Sequence, residues 1–225
     1  MEERYSRNLP AVSEEDMRRI RKSRVLVAGC GGLGGFIIEY LARMGVDAIT
    51  AVDGDVFCES NLNRQLLSST DNMGTNKAVA AAERIKSVNP EVKVTAVPEF
   101  LTKENADKLL ADSDIVLDAL DNVASRHILE DAAANAHLAI VHGAISGWDL
   151  QVMLVEPGSG MLHKLYPVGS APGTKTSLPF TPAACAALQV SMAVRYLCGR
   201  STEHDRELTV GSLKDLSFES ILIGD

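Results

Sequence analysis

Arg24-Val25-Leu26-Val27-Ala28-Gly29-Cys30-Gly31-Gly32-Leu33-Gly34 decides how the rest of the chain is read. The apolar run from Val25 to Ala28 predicts a short buried strand, with glycines at its end. Gly29, Gly31 and Gly34 fit G-x-G-x-x-G, and a helical pattern follows. In a strand–turn–helix unit the first glycine permits the tight turn, and the second lets a phosphate approach the backbone. The third lets helix pack on strand. The helix N-terminus offers that phosphate free N–H groups and partial positive charge. Asp53 closes the next predicted strand, 19 residues past Gly34, where a carboxylate meets ribose hydroxyls. A glycine turn needed only for close packing is the competing reading; the flanking strand, helix and acid favour a nucleotide.

Working outward, strands and helices alternate. Ser13-Glu14-Glu15-Asp16 predicts a capped helix ending near Lys22. Phe36 to Met44 predicts a helix stopped by Gly45. Strands are expected at 48–52, 92–97, 115–117 (ending around Asp118 to Asp121) and 138–141, and helices at 76–88, 102–111 and 124–136. Thr75 is the expected cap of the 76–88 helix. Apolar strands alternating with helices mean an α/β fold: a Rossmann-like, mostly parallel sheet flanked by helices. After 150–155, a further strand with no helix expected behind it, the pattern changes. Residues 166–182 hold four of the eight prolines and read as a flexible crossover segment. Thr181-Pro182 then fits the start of a helix over 183–198, and 208–210 and 216–223 fit antiparallel edge strands. One domain over 1–225 is expected, with 1–22 as N-terminal helix and arm, and 183–225 as C-terminal helix and edge strands.

The 22 basic and 30 acidic residues give a net charge of −8, unlike the broad basic surface of a nucleic-acid binder. No apolar run approaches the ~20 residues that span a bilayer, and residues 1–10 show no apolar signal core. Cys30, Cys58, Cys185 and Cys198 form no C-x-x-C pair, so neither a disulfide framework nor a zinc knuckle is expected. A reduced, cytoplasmic protein is the expectation.

A second group of residues suits a triphosphate. Asn61 and Arg64 are three apart and would share a face on a helical turn; Arg64 can chelate phosphate with its planar fork. Lys77 stands in the first turn of a helix, an unfavourable place for a cation unless it meets an anion. Asp118 and Asp121 follow the fourth strand, and both are expected to face the crevice. Asp121 suits magnesium, which takes one or two carboxylates beside phosphate oxygens. Asp121 or Asn122 as a simple helix cap is the bland alternative.

Taken together, these residues resemble the ThiF/MoeB/HesA family, sulfur-carrier-protein adenylyltransferases and bacterial relatives of ubiquitin-activating enzymes. The resemblance covers 4–155 densely and 183–199 more loosely. It is carried by Arg4-Tyr5-Ser6-Arg7, the glycine turn, Val52-Asp53-Gly54-Asp55, Ser60-Asn61-Leu62-Asn63-Arg64-Gln65, Gly74-Thr75-Asn76-Lys77-Ala78, Asn89-Pro90 and Asp118-Ala119-Leu120-Asp121-Asn122. It implies ATP and magnesium as cofactors. It places Gly29, Gly31, Gly32, Leu33, Gly34, Asp55, Ser60 and Gln65 around the nucleotide, with Asp53 on the ribose. Asn61, Arg64 and Lys77 would bind phosphates, and Asp121 would hold magnesium with Asn122 beside it. Arg7 would enter the site of a partner subunit in a homodimer. The implied substrate is a ubiquitin-like carrier ending in Gly-Gly, which would become an acyl adenylate. Family members with two C-x-x-C pairs bind structural zinc; without such pairs, no zinc is expected here. The 166–182 segment has no cysteine; Cys185, just beyond it, reads better as a buried helix residue than as a nucleophile.

Other functions remain open on sequence alone. The same fold could activate a carboxylate on a modified tRNA or a peptide. An NAD-dependent oxidoreductase would explain the glycines and Asp53 but not Asn61, Arg64, Lys77 and Asp121 together. A binding module that kept the pocket without its chemistry would usually have lost one of those polar residues.

Overall fold

The computed structural model describes residues 2–169 and 176–223. Its centre is one eight-stranded sheet in the order β3-β2-β1-β4-β5-β6-β7-β8. The strands β1 (Arg24–Ala28), β2 (Ala48–Val52), β3 (Lys93–Val97), β4 (Ile115–Asp118) and β5 (Ile140–Ser146) run parallel. The strands β6 (Asp149–Val155), β7 (Leu208–Ser212) and β8 (Ser217–Ile221) extend the sheet antiparallel. The expected class, a mostly parallel sheet with antiparallel C-terminal additions, is the one observed.

The helices are α1 (Glu14–Ile20), α2 (Gly32–Met44), α3 (Lys77–Val88), α4 (Ala106–Leu110), α5 (Val123–Asn135), α6 (Met161–Leu165) and α7 (Phe180–Leu197). Strand alternation splits the core in two. Val25 and Val27 of β1 join one cluster, with Ile37, Leu41, Ile85 and Val190. Leu26 and Ala28 join the other, with Leu110, Leu129 and Leu162. Successive side chains of a strand point to opposite faces, so both faces of β1 are covered and its run is apolar throughout. Burying each large aliphatic side chain contributes about 1.5–3 kcal/mol.

Element edges differ from expectation for local reasons. The second helix begins at Gly32 rather than Phe36, because the glycines form its first turn. Asn76, not Thr75, caps α3: its Oδ1 accepts from the Ala78 and Val79 amides at 2.9 and 3.2 Å. The fourth helix shrinks to Ala106–Leu110, since Asn105 Oδ1 accepts from Thr102 N at 2.8 Å and closes a turn before it. A short helix, α6, does follow β6; Glu130 of α5 accepts the Leu162 and His163 amides of its first turn, each at 2.9 Å. The last long helix begins at Phe180, so Thr181 is inside it and donates to Gly147 O at 2.8 Å. Of the expected crossover segment, 170–175 lie outside the described residues. Among the described residues, no helix is long and apolar enough to cross a membrane.

Candidate active site

The C-terminal ends of parallel strands, where the order reverses between β2-β1 and β4, form the ligand crevice of open α/β sheets. The turn from β1 to α2 is built there. Gly29 has φ +97°, its amide donates to Val52 O at 2.8 Å, and an added Cβ would lie 2.6 Å from Ala119 O. A Cβ on Gly34 would lie 1.8 Å from Gly29 O, so no larger residue fits. Gly31 precedes α2, whose first helical bond runs from Gly35 N to Gly31 O at 3.1 Å. The amides of Gly32, Leu33 and Gly34 come before that bond, where helical N–H groups lack an intrahelical partner. Leu33 offers only its backbone, because its side chain is in the core.

Asp53 clamps this turn. Its Oδ2 accepts from Cys30 N and its Oδ1 from Asp55 N, both at 2.8 Å. Burial raises its carboxyl above the ordinary value, while the two amides and Lys77 work the other way. Each carboxylate oxygen has a second lone pair, so ribose hydroxyls can still be accepted.

The loop after Asp53 folds back on 74–77: Phe57 N donates to Thr75 O, and Lys77 N to Asp55 O, each at 3.0 Å. This pairing brings Lys77 to Asp55, with Nζ 3.1 Å from Oδ2; the lysine side chain is 9% exposed and the aspartate 58%. The expected cation at the start of α3 therefore already meets an anion. Asn61 is buried, and its Oδ1 accepts from Cys58 N at 3.1 Å, which leaves its amide nitrogen as the donor it can offer. Ser60 Oγ lies 3.2 Å from Cys58 Sγ, and Ser60 O accepts from Arg64 at 2.8 Å. Arg64 also donates to Asn63 Oδ1 at 2.9 Å. Gln65 is buried against the turn, with Nε2 3.5 Å from a Cβ placed on Gly31. Its Oε1 is buried without a hydrogen-bond partner, an acceptor left open beside the glycines. Buried polar atoms normally have partners, so this one is consistent with a ligand seated there.

Beyond β4 the two carboxylates part company, which corrects the expectation that both face the crevice. Asp121 is exposed, in the bend before α5. Asp118 is wholly buried: Arg126 Nε lies 3.3 Å and His142 Nδ1 2.7 Å from its Oδ2. Burial opposes ionisation of Asp118, but Arg126 and His142 outweigh it and hold its carboxyl below the ordinary range. Asn122 caps α5 through Ser125 N at 2.9 Å. Neither His142 nor Arg126 stood out in the sequence. The available signal was Asp118 itself, a carboxylate closing a strand whose other residues are all buried.

Arg7 is exposed in a 3-10 turn over Glu3–Asn8. Tyr5 of that turn accepts from Asn89 Nδ2 at 2.8 Å and packs on Gly45, the residue that ends α2. At about 1.5 Å per residue, the 13 residues of α2 separate this turn from the glycine end. Cys185 is buried, its thiol 3.6 Å from Gln151 O, and burial pushes its pKa far up. A thiol so placed is inert.

Comparison with known proteins gives the family and the fold. The ThiF family model matches residues 5–223. The chain is 34% identical to the SAMP-activating enzyme E1 of Haloferax volcanii, over 97% of this chain and 84% of that one. It is 33% identical to the sulfur carrier protein adenylyltransferase of Thermus thermophilus, over 98% and 87%. Among solved structures, E. coli MccB with ATP superposes with TM-score 0.81 at 20% identity, over 100% of this chain and 72% of that one, which shows the fold. The E. coli tRNA N6-threonylcarbamoyladenosine dehydratase gives TM-score 0.73 at 25% identity, over 88% and 95%. This chain belongs to the ThiF family and is an adenylyltransferase.

Proposed function

We propose that the chain uses ATP and magnesium to adenylylate the C-terminal glycine of a small ubiquitin-like sulfur-carrier protein, for sulfur transfer in thiamine or molybdopterin biosynthesis. One observation carries the reading. The Gly29–Gly34 turn, clamped by Asp53 and flanked by the open acceptor of Gln65, fits a nucleotide; Lys77, held by Asp55, and Asp121, in the bend after β4, are the residues we assign to its phosphates and magnesium. The names of the two curated relatives support the substrate class.

The carrier's carboxylate needs no general base, because it is ionised at neutral pH. It attacks the α-phosphorus; as the new O–P bond forms, the bond to pyrophosphate breaks and the electron pair leaves with it. The α2 amides and the cations of Arg64 and Lys77 stabilise charge that develops on the phosphates. Lys77 is already oriented by Asp55, so little reorganisation remains. Magnesium, when bound, would neutralise further phosphate charge, with Asp121 as its protein ligand. Arg7 belongs to the site of a second copy, since its own turn packs at the far end of α2.

The test is exchange of labelled pyrophosphate into ATP. It is expected only with a carrier ending in Gly-Gly, and is lost in Asp121→Ala. An equimolar mixture of Arg7→Ala and Asp121→Ala chains regains activity that neither has alone. If no ubiquitin-like carrier supports exchange, the reading fails. The likeness to the tRNA-modifying dehydratase keeps one rival in view. A tRNA-dependent burst of ATP hydrolysis would favour it, against the net charge of −8.

A further inference from the structure

One buried polar cluster takes no part in the chemistry above. Asp118 is at its centre. Besides His142 and Arg126 on Oδ2, it accepts Leu120 N on Oδ1 at 2.9 Å. Its backbone carbonyl accepts Gln189 Nε2 of α7, also at 2.9 Å. Arg126 reaches on to Leu120 O at 2.6 Å, and its guanidinium lies 4.7 Å from the centre of the Tyr166 ring. On its other side, His142 Nε2 is 3.0 Å from the Tyr166 hydroxyl, whose oxygen lies 2.6 Å from Gln151 Nε2.

The donor directions follow from charge. Asp118 is ionised, so His142 donates from Nδ1 and is left with Nε2 as acceptor. Tyr166 O–H donates to that nitrogen, which Gln151 Nε2 also approaches at 3.1 Å, and Gln151 donates to the phenol oxygen. One direction thus runs from Gln151 to Tyr166, His142 and Asp118. Two things meet at Asp118. The flanks of the 166–180 connection are tied to it, Tyr166 at the start and Gln189 on the helix that follows. Leu120, the residue before Asp121, is held at both its N–H and its C=O. Every polar atom of the Asp118 carboxylate has a partner, and side-chain networks of this kind are worth more than their separate pairs.

We propose that Tyr166, His142, Asp118 and Arg126 are positioning residues that fix Asp121 in the crevice, so that the start of the 166–180 connection and the Asp121 turn shift together. The geometric coupling stands by itself; its consequence for catalysis rests on the adenylation reading.

Tyr166→Phe and His142→Asn each remove the Tyr166–His142 hydrogen bond in the full chain, and Tyr166→Phe is also made with Gln151→Leu, which removes the second donor near His142 Nε2. Tyr166→Phe keeps the ring beside Arg126, and His142→Asn keeps a donor for Asp118. In each, amide hydrogen exchange at Leu120, Asp121 and Asn122 is expected to quicken about 3- to 10-fold, the weight of one hydrogen bond. The magnesium concentration that half-saturates carrier-dependent pyrophosphate exchange is expected to rise by a similar factor, with KM for the carrier unchanged. The double variant of Tyr166→Phe and His142→Asn is expected to be no worse than either single one, because coupled residues are not additive. Should His142→Asn fail to fold, Tyr166→Phe alone decides. Unchanged amide exchange in the folded variants, or fully additive effects, would overturn the proposal. Faster amide exchange with no pyrophosphate exchange even in wild type would remove the adenylation reading and leave the coupling intact.

Discussion

The turn after β1 and the turn after β4 lie side by side, so close that a Cβ on Gly29 would strike Ala119 O. The first is shaped by side chains it lacks: its backbone folds on itself and is clamped by Asp53. The second is shaped by side chains it buries, the Asp118 carboxylate with Arg126 and His142. A site made by backbone contact tolerates no added atom, whereas one made by a side-chain network can be loosened in steps. The difference teaches where the crevice is fixed and where it is adjustable.

The comparison breaks most sharply at Gly34. Gly34→Ala puts a methyl group 1.8 Å from Gly29 O, backbone against side chain with no rotamer to relieve it. Loss of ATP binding, or of the folded chain, is expected in calorimetry and thermal melts; a wild-type melt with full ATP binding would end the argument. Asp118→Asn is expected to cost less, about 3–5 kcal/mol, because it leaves the buried Arg126 charge without its counter-ion. Urea unfolding measures this, and a change under about 1 kcal/mol, the scale of exposed ion pairs, would show the network to be slack.

A gentler probe is pH. Burial lowers the His142 pKa from its ordinary 6.5, with Asp118 partly offsetting it. Between the lowered value and 6.5 the unfolded chain binds a proton that the folded chain refuses, so stability falls as pH drops through that window. Asp118 acts lower still. Its contribution is full above the ordinary 3.8 and is lost as pH falls through its depressed folded value. His142→Asn should flatten only the upper part of the profile; an unaltered melt-versus-pH curve above pH 5 would remove His142 from the account.

The same contrast explains what the sequence revealed. The glycine turn was legible because its pattern is local: Gly34 answers to Gly29 O five residues back, and Asp53 closes the neighbouring strand, although the contact that excludes a side chain at Gly29 comes from distant Ala119. Strand placement followed from the apolar runs, and β5 proved longer than expected because Gly143 continues it under Gln189. Asp118 was misread because its partners are 8 and 24 residues away, and nothing in their spacing marks them. Thr75 and Thr181 were misjudged because a neighbouring residue gave the better start: Asn76 by its side-chain cap, Phe180 by a helix that begins before the threonine. Lys77 was legible as a cation needing an anion, but not that Asp55 already supplies one.

The central claim is a chemical one, and mass spectrometry of the carrier tests it most directly. With this chain, ATP and magnesium, a ubiquitin-like carrier ending in Gly-Gly should gain AMP on its terminal carboxylate, and the same carrier without its last glycine should not. Release of ADP in place of pyrophosphate, or AMP attached irrespective of the tail, would contradict the account.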